Sequence, residues 1–259
     1  GGAGGIMSGG AGRGPFAGGA GGWIAAKGAA TGVGRRSMRL GPAGPTERET
    51  GLKFPGRADS VDSTSGLVVP GSRFRFAGAG PRAKSIMGLA SLNVYAVGLL
   101  INPYRVSERI QGALRKEPDA TAWAASTSCQ DALDELAQDH SVEKIIHLVV
   151  KFPRLKPPML RKALDGHLKH PMAAGGQKAE LEAFQKLSEG LQTRKGDSVS
   201  FCLLEGGEMR LLNNGKELGV VRSPLLCSEL MGLYLGASAV SISARNSMAE
   251  GIHRIVTEA

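Results

Sequence analysis

The chain has 259 residues, of which 42% are hydrophobic and 21% charged, with a formal net charge of +9. That length suits one domain of about 200 residues with an appendage. No run of about 20 apolar residues occurs, so no membrane span is expected.

The charge is unevenly spread. Residues 1–66 hold eight basic and four acidic side chains, whereas 67–259 hold 24 and 19. A surplus this mild over the larger part argues against a nucleic-acid partner. One basic stripe, Lys151, Arg154, Lys156, Arg161 and Lys162, reads either as a phosphate patch or as a solvated face. No aromatic residues interleave with it to stack bases.

Residues 1–44 contain 17 glycines, five basic residues and no acid, and show no periodic apolar face. Residues 1–46 are therefore expected to be disordered. Arg35, Arg36 and Arg39 near the end of this head fit an organelle transit peptide. A plain glycine-rich linker, or a Gly/Arg tail that touches nucleic acid, is the competing reading. The folded domain is expected over 47–259.

Residues 74–102 combine strand pattern, turn chemistry and an unusual polar pair. Phe74–Phe76 and Lys84–Met87 read as short strands, and Leu92–Ile101 is apolar enough for burial on both faces. Gly78, Gly80 and Pro81 punctuate the first stretch and Gly88 breaks the second. The prediction is a β-meander with a tight turn at Leu89 and Ala90. Such a turn sets residue 84 opposite 95 and 82 opposite 97. Arg82 and Tyr95 then share one face as diagonal neighbours, about 7–8 Å apart. A guanidinium beside a phenol suits a carboxylate or phenolate. The alternative is an arginine solvated at a strand end and a tyrosine that fills the sheet, and a one-residue slip of register separates the two.

Helices are expected over Tyr104–Lys116, after an N-cap at Ser128, over Pro158–His170 and over Gln177–Leu191. Between the second and third of these, residues 141–152 form a long strand closed by Pro153, with His147 as a core or half-buried histidine. A second meander covers 198–204, the stretch Glu208–Leu212 and 216–221, joined through Gly206-Gly207 and then through the type I′ dipeptide Asn214-Gly215. Ser223-Pro224 opens a helix that ends at Gly236, and a last helix spans 243–256. The order of elements predicts an α+β fold, a mainly antiparallel sheet with helices packed on one side. Cys129, Cys202 and Cys227 have neither disulfide nor zinc spacing and point weakly to a reducing compartment. The five histidines are scattered, and nucleotide and nucleophile-elbow motifs are absent, so neither metal nor cofactor is expected.

The pattern GAGxR followed after about a dozen residues by VYAxGL resembles the opening strands of the chalcone isomerase fold family. GLKFPG at 51–56 and SPLLCSELMGLYLG at 223–236 resemble other pieces of it, in the same order. The likeness is greatest to the fatty-acid-binding branch. It implies an open-faced sandwich with a ligand cleft between sheet and helices, Arg82 and Tyr95 on the ligand carboxylate, and a plastid location. Catalytic members place an Arg and a Thr on the first strands and a Tyr and an Asn on a helix. Laid on residues 159–166, that helix pattern keeps Lys162 but meets Met159 in place of Tyr and Gly166 in place of Asn, while Tyr95 falls at or beside the Thr position. The resemblance therefore implies non-catalytic binding of a fatty acid or similar apolar carboxylate. A chalcone-to-flavanone lyase and a ligand-free regulator of a flavonoid enzyme are the alternatives.

Overall fold

The structure is a computed structural model that describes residues 36–62, 68–86, 90–106 and 108–258. Ten strands and seven α-helices lie among them: β1 Arg36–Leu40, β2 Ala43–Thr46, β3 Lys53–Pro55, β4 Arg57–Asp62, β5 Val68–Ile86, β6 Ala90–Ile101, α1 Glu108–Lys116, α2 Ala120–Ala125, α3 Thr127–Gln138, β7 Lys144–Val150, α4 Pro157–Ala174, α5 Lys178–Ser188, β8 Ser198–Leu204, β9 Glu208–Asn213, β10 Lys216–Arg222, α6 Pro224–Leu235 and α7 Ile242–Thr257. Eight strands form one antiparallel sheet in the order β1-β4-β5-β6-β7-β8-β9-β10, and β2 pairs with β3 as a separate hairpin. This is the α+β, mainly antiparallel architecture expected from the element order.

The central strands are buried on both faces, and the alternation of their side chains shows how. On β6, Tyr95, Val97, Leu99 and Ile101 join the large core beneath the helices. Ala96 and Leu100 point the other way, into two smaller clusters. Ile146 and Leu148 against Ile145 and Val149 repeat the pattern on β7. The far face is therefore not open: Met38, Phe54 and Ala58, from β1, β3 and β4, cover it. The sheet curls far enough that Arg210 on β9 donates to the Arg36 carbonyl on β1, and Arg36 pairs with Glu143 at 3.3 Å.

Several expectations change here. The boundary at residue 47 falls inside ordered structure, because Arg36–Leu40 and Ala43–Thr46 are strands. Composition misleads there: the basic residues of β1 lie at a sheet edge, where Arg36 finds a buried carboxylate. The rest of the glycine-rich head lies outside the described residues, as do residues 87–89 of the expected turn. Phe74–Phe76 and Lys84–Met87 are not separate strands but parts of the 19-residue β5. The cap of α3 is Ser126 rather than Ser128, since Ser126 Oγ accepts from the Cys129 N–H at 3.2 Å. The second meander forms as predicted, with φ of 51° at Asn214 and 77° at Gly215.

α7 lies directly on β5. A Cβ at Gly78 would overlap the Ser247 carbonyl, and one at Gly251 would overlap the Ala77 carbonyl. Ser241, the N-cap of α7, also donates to the Pro81 carbonyl at 2.6 Å. Helix and strand backbones thus meet with no side chain between them. Inside a helix, Gly→Ala ordinarily gains about 1 kcal/mol, and at Gly166, where nothing lies within 4 Å, that gain is expected. Gly251→Ala is expected to destabilise instead, by about 1–3 kcal/mol, as overpacking does. Urea denaturation of the two variants separates these outcomes, and a Gly251→Ala protein as stable as the parent would show that α7 stands clear of β5.

Candidate functional site

Arg82 and Tyr95 are direct cross-strand partners rather than diagonal ones. The hairpin closes on the pair Ile86–Ala90, three residues off the expected register, and a β-bulge between Arg82 and Ala83, with Val94 as the extra residue on β6, restores one of them and so brings Tyr95 opposite Arg82. A bulge bends its strand and re-aims its side chains, and here both Val94 and Tyr95 line the same cleft. The Val94 carbonyl accepts from the backbone N–H of Lys151 at 3.1 Å and of Phe152 at 3.0 Å. These two bonds end β7 and turn the chain toward α4. That turn delivers Phe152, Leu155, Met159, Leu160 and Ala163 as the opposite wall.

The cleft between β5, β6 and α4 has a volume of about 440 Å³ and a predominantly apolar lining, with Lys84 and Leu92 completing it. That size falls in the usual range of small-molecule sites, about 300–1,000 Å³. Its polar side chains are Arg82, Lys84 and Tyr95. Arg82 Nη1 donates to the Ala83 carbonyl at 2.7 Å, and among the described residues no carboxylate pairs with the guanidinium.

Behind Tyr95 stands a third polar group that the sequence reading passed over. Tyr234 Oη lies 3.5 Å from Tyr95 Oη, and both rings are buried. Tyr234 sits on α6, whose N-terminus is fixed by Pro224 and by Ser223 Oγ, which accepts from the Leu226 N–H at 2.9 Å. The helix is apolar almost all round, as a helix sunk in a core must be. A lone phenol in that run was the available signal, but only the curl of the sheet shows which strand it meets. Burial pushes the Tyr95 hydroxyl above its ordinary value, against the smaller pull of Tyr234 and the Arg82 charge. Burial raises Tyr234 further, aided by its neighbour Tyr95. Both phenols stay protonated at neutral pH, and Tyr95, the one that lines the cleft, can donate to an anion held by Arg82.

The positions that replace the catalytic Tyr and Asn diverge in the structure. Met159 lines the cleft, whereas Gly166 is exposed, two turns further along α4, and lines no part of it. His147 faces the far side of the sheet, bonded through Nδ1 to Ser200 Oγ at 2.8 Å, and burial lowers its pKa to about 4. The three cysteines are buried free thiols. Among the described residues no group of His, Cys, Asp or Glu is placed to hold a metal ion. No described helix is long and apolar enough to cross a membrane.

A crystal structure of an Arabidopsis thaliana fatty-acid binding protein superposes with a TM-score of 0.63, covering 82% of this chain and 98% of that one at 20% identity. Chalcone isomerase-like protein 1 of Humulus lupulus is 24% identical over 80% of this chain and 89% of its own length. The fold is the chalcone isomerase fold. Among relatives that share sequence with this chalcone isomerase-fold chain are two fatty-acid-binding proteins of Arabidopsis thaliana. Protein 2 is 23% identical and protein 1 is 24% identical, each over 81% of this chain. The chain spans about half the length of the first, 51%, and 70% of the second. No family model matches the chain.

The chain has three tyrosines, and two of them, Tyr95 and Tyr234, are expected to ionise above the ordinary value of about 10. Their contribution to stability is complete below about pH 10 and is lost as pH rises through the folded-state values. In a spectrophotometric titration, Tyr95→Phe and Tyr234→Phe should each remove one late-titrating phenol. Loss of an early one instead would show that the Arg82 charge outweighs burial.

Proposed function

We propose that this protein binds a fatty acid or similar apolar carboxylate without transforming it. The observation that carries this reading is Arg82, free of any carboxylate partner among the described residues, beside the protonated phenol of Tyr95 at the wall of an apolar cleft, with Tyr234 behind it. A guanidinium so placed is an anion site, and charge-assisted bonds to a carboxylate are roughly twice as strong as neutral ones. The acyl chain is held by burial, about 0.8 kcal/mol per methylene. The names of the Arabidopsis relatives support the same ligand class. Against cyclisation of a chalcone stands the lack of a phenol to orient a water at Met159, the one of the two replaced positions that lines the cleft. Removing one such donor costs about 2.7–4 kcal/mol in other enzymes.

Arg82→Ala is expected to weaken fatty-acid binding by roughly ten- to a hundred-fold, the equivalent of one charge-assisted bond. Tyr95→Phe removes a neutral donor and is expected to lose less. The methyl ester of the same acid should bind the parent poorly and be nearly blind to Arg82→Ala. Equal titration of acid and ester would remove the carboxylate site. With a chalcone, the purified protein should give no flavanone above the spontaneous rate, and a saturable, stereoselective product would replace the binding assignment with a lyase.

We also assign the protein to plastids, a reading supported by the basic, acid-free composition of residues 1–44. A fluorescent fusion of residues 1–60 should enter plastids, and cytosolic retention in a plastid-bearing cell would overturn the assignment.

A further inference from the structure

The fold splits the basic stripe of the sequence. Lys151 turns its ammonium onto the Thr50 carbonyl, and Arg161 pairs with Glu189 at 3.8 Å. Arg154, Lys156 and Lys162 remain exposed, as does Lys84 on β5. Among the described residues no carboxylate stands within ion-pair distance of these four. Between Glu143 and Asp165 the chain has no acid at all.

An apolar side chain sits in the middle of these cations. Met159 is 49% exposed, one of the few large hydrophobic residues left in water. Lys156 caps α4 and Lys162 lies on its second turn, each three residues from Met159, so the three side chains form one stripe along the helix. Met159 and Lys84 line the apolar cleft from its two sides, α4 and β5. The stripe is therefore the rim of the cleft's mouth.

We propose that this rim docks onto an anionic lipid bilayer and that the acyl ligand passes between bilayer and cleft there. The ammonium and guanidinium groups meet headgroup phosphates while Met159 enters the acyl boundary. The docking itself follows from the rim, and only the identity of the cargo rests on the fatty-acid reading. A nucleic acid would answer the charge but not Met159, and none of the exposed rim residues is aromatic, as base stacking requires.

Vesicle flotation with the full chain tests this, using phosphatidylcholine alone and phosphatidylcholine mixed with phosphatidylglycerol. Binding is expected to the mixed vesicles only, and to vanish in about 1 M salt, where screening acts within about 3 Å. Each basic residue near such a surface is worth about a fivefold in partition, so loss of two lysines alone weakens binding about 25-fold, and K156E/K162E, which also adds two repelled carboxylates, should bind more weakly than that. K178E/K216E, with the same net charge but both substitutions away from the rim, should bind within about twofold of the parent, and Met159→Asp should weaken binding on its own. Transfer of a fluorescent fatty acid should speed up with vesicle concentration for the parent and not for K156E/K162E. Equal binding to neutral vesicles, undiminished binding by K156E/K162E, or tighter binding to single-stranded RNA would overturn the proposal. Mixed-vesicle binding without measurable fatty-acid affinity would uphold the docking and remove the cargo.

Discussion

The geometry of the cleft depends on the contact of α7 with β5. Where Gly251 meets Ala77 and Gly78 meets Ser247, two backbones touch with no side chain between them. Among the described residues no strand pairs with the outer edge of β5 beyond Arg75, and the Ser241 hydroxyl satisfies the Pro81 carbonyl there. Close packing of this kind tolerates little displacement. It fixes the stretch from Ala77 to Arg82 and so sets where the guanidinium stands. Tyr234 is brought to the same place by the preceding helix, α6.

Within the site, burial and charge act in opposite senses on the phenols. Burial dominates for both Tyr95 and Tyr234 and keeps them as hydrogen-bond donors. Arg82, half-buried at the strand edge, supplies the charge beside Tyr95, and Lys84 lines the same cleft. A neutral phenol beside a guanidinium suits a carboxylate head group.

Much of this was legible in the sequence. A continuous apolar run gave β6, a run rich in β-branched residues gave β7, and Asn214-Gly215 gave the tight turn between β9 and β10. Arg82 and Tyr95 could be paired because turn chemistry limits register. Neither the closing pair Ile86–Ala90 nor the bulge at Val94 could be read, since an unpaired residue leaves no mark in an apolar run, and together they make the pairing direct rather than diagonal. β1 and β2 were hidden by glycine and arginine content, although what orders β1 is a buried glutamate more than a hundred residues away. Tyr234 was visible as a residue and invisible as a member of the site. Local pattern reports which face a side chain takes, not which distant element it meets.

The sheet and its last helix belong to different stages of chain assembly. From β4 to β10 each strand pairs with its neighbour in sequence, so hairpin closure can build the sheet in short steps. The seam between α7 and β5 joins segments 160 residues apart, and such distant contacts carry the loop-closure entropy that slows folding. A nascent chain therefore carries β5 uncovered until nearly the whole domain has been made. Through that interval the strand edge between Gly78 and Pro81 is open to pairing with another chain. The proline at position 81, which offers no N–H to an incoming strand, sits in that edge as a built-in guard.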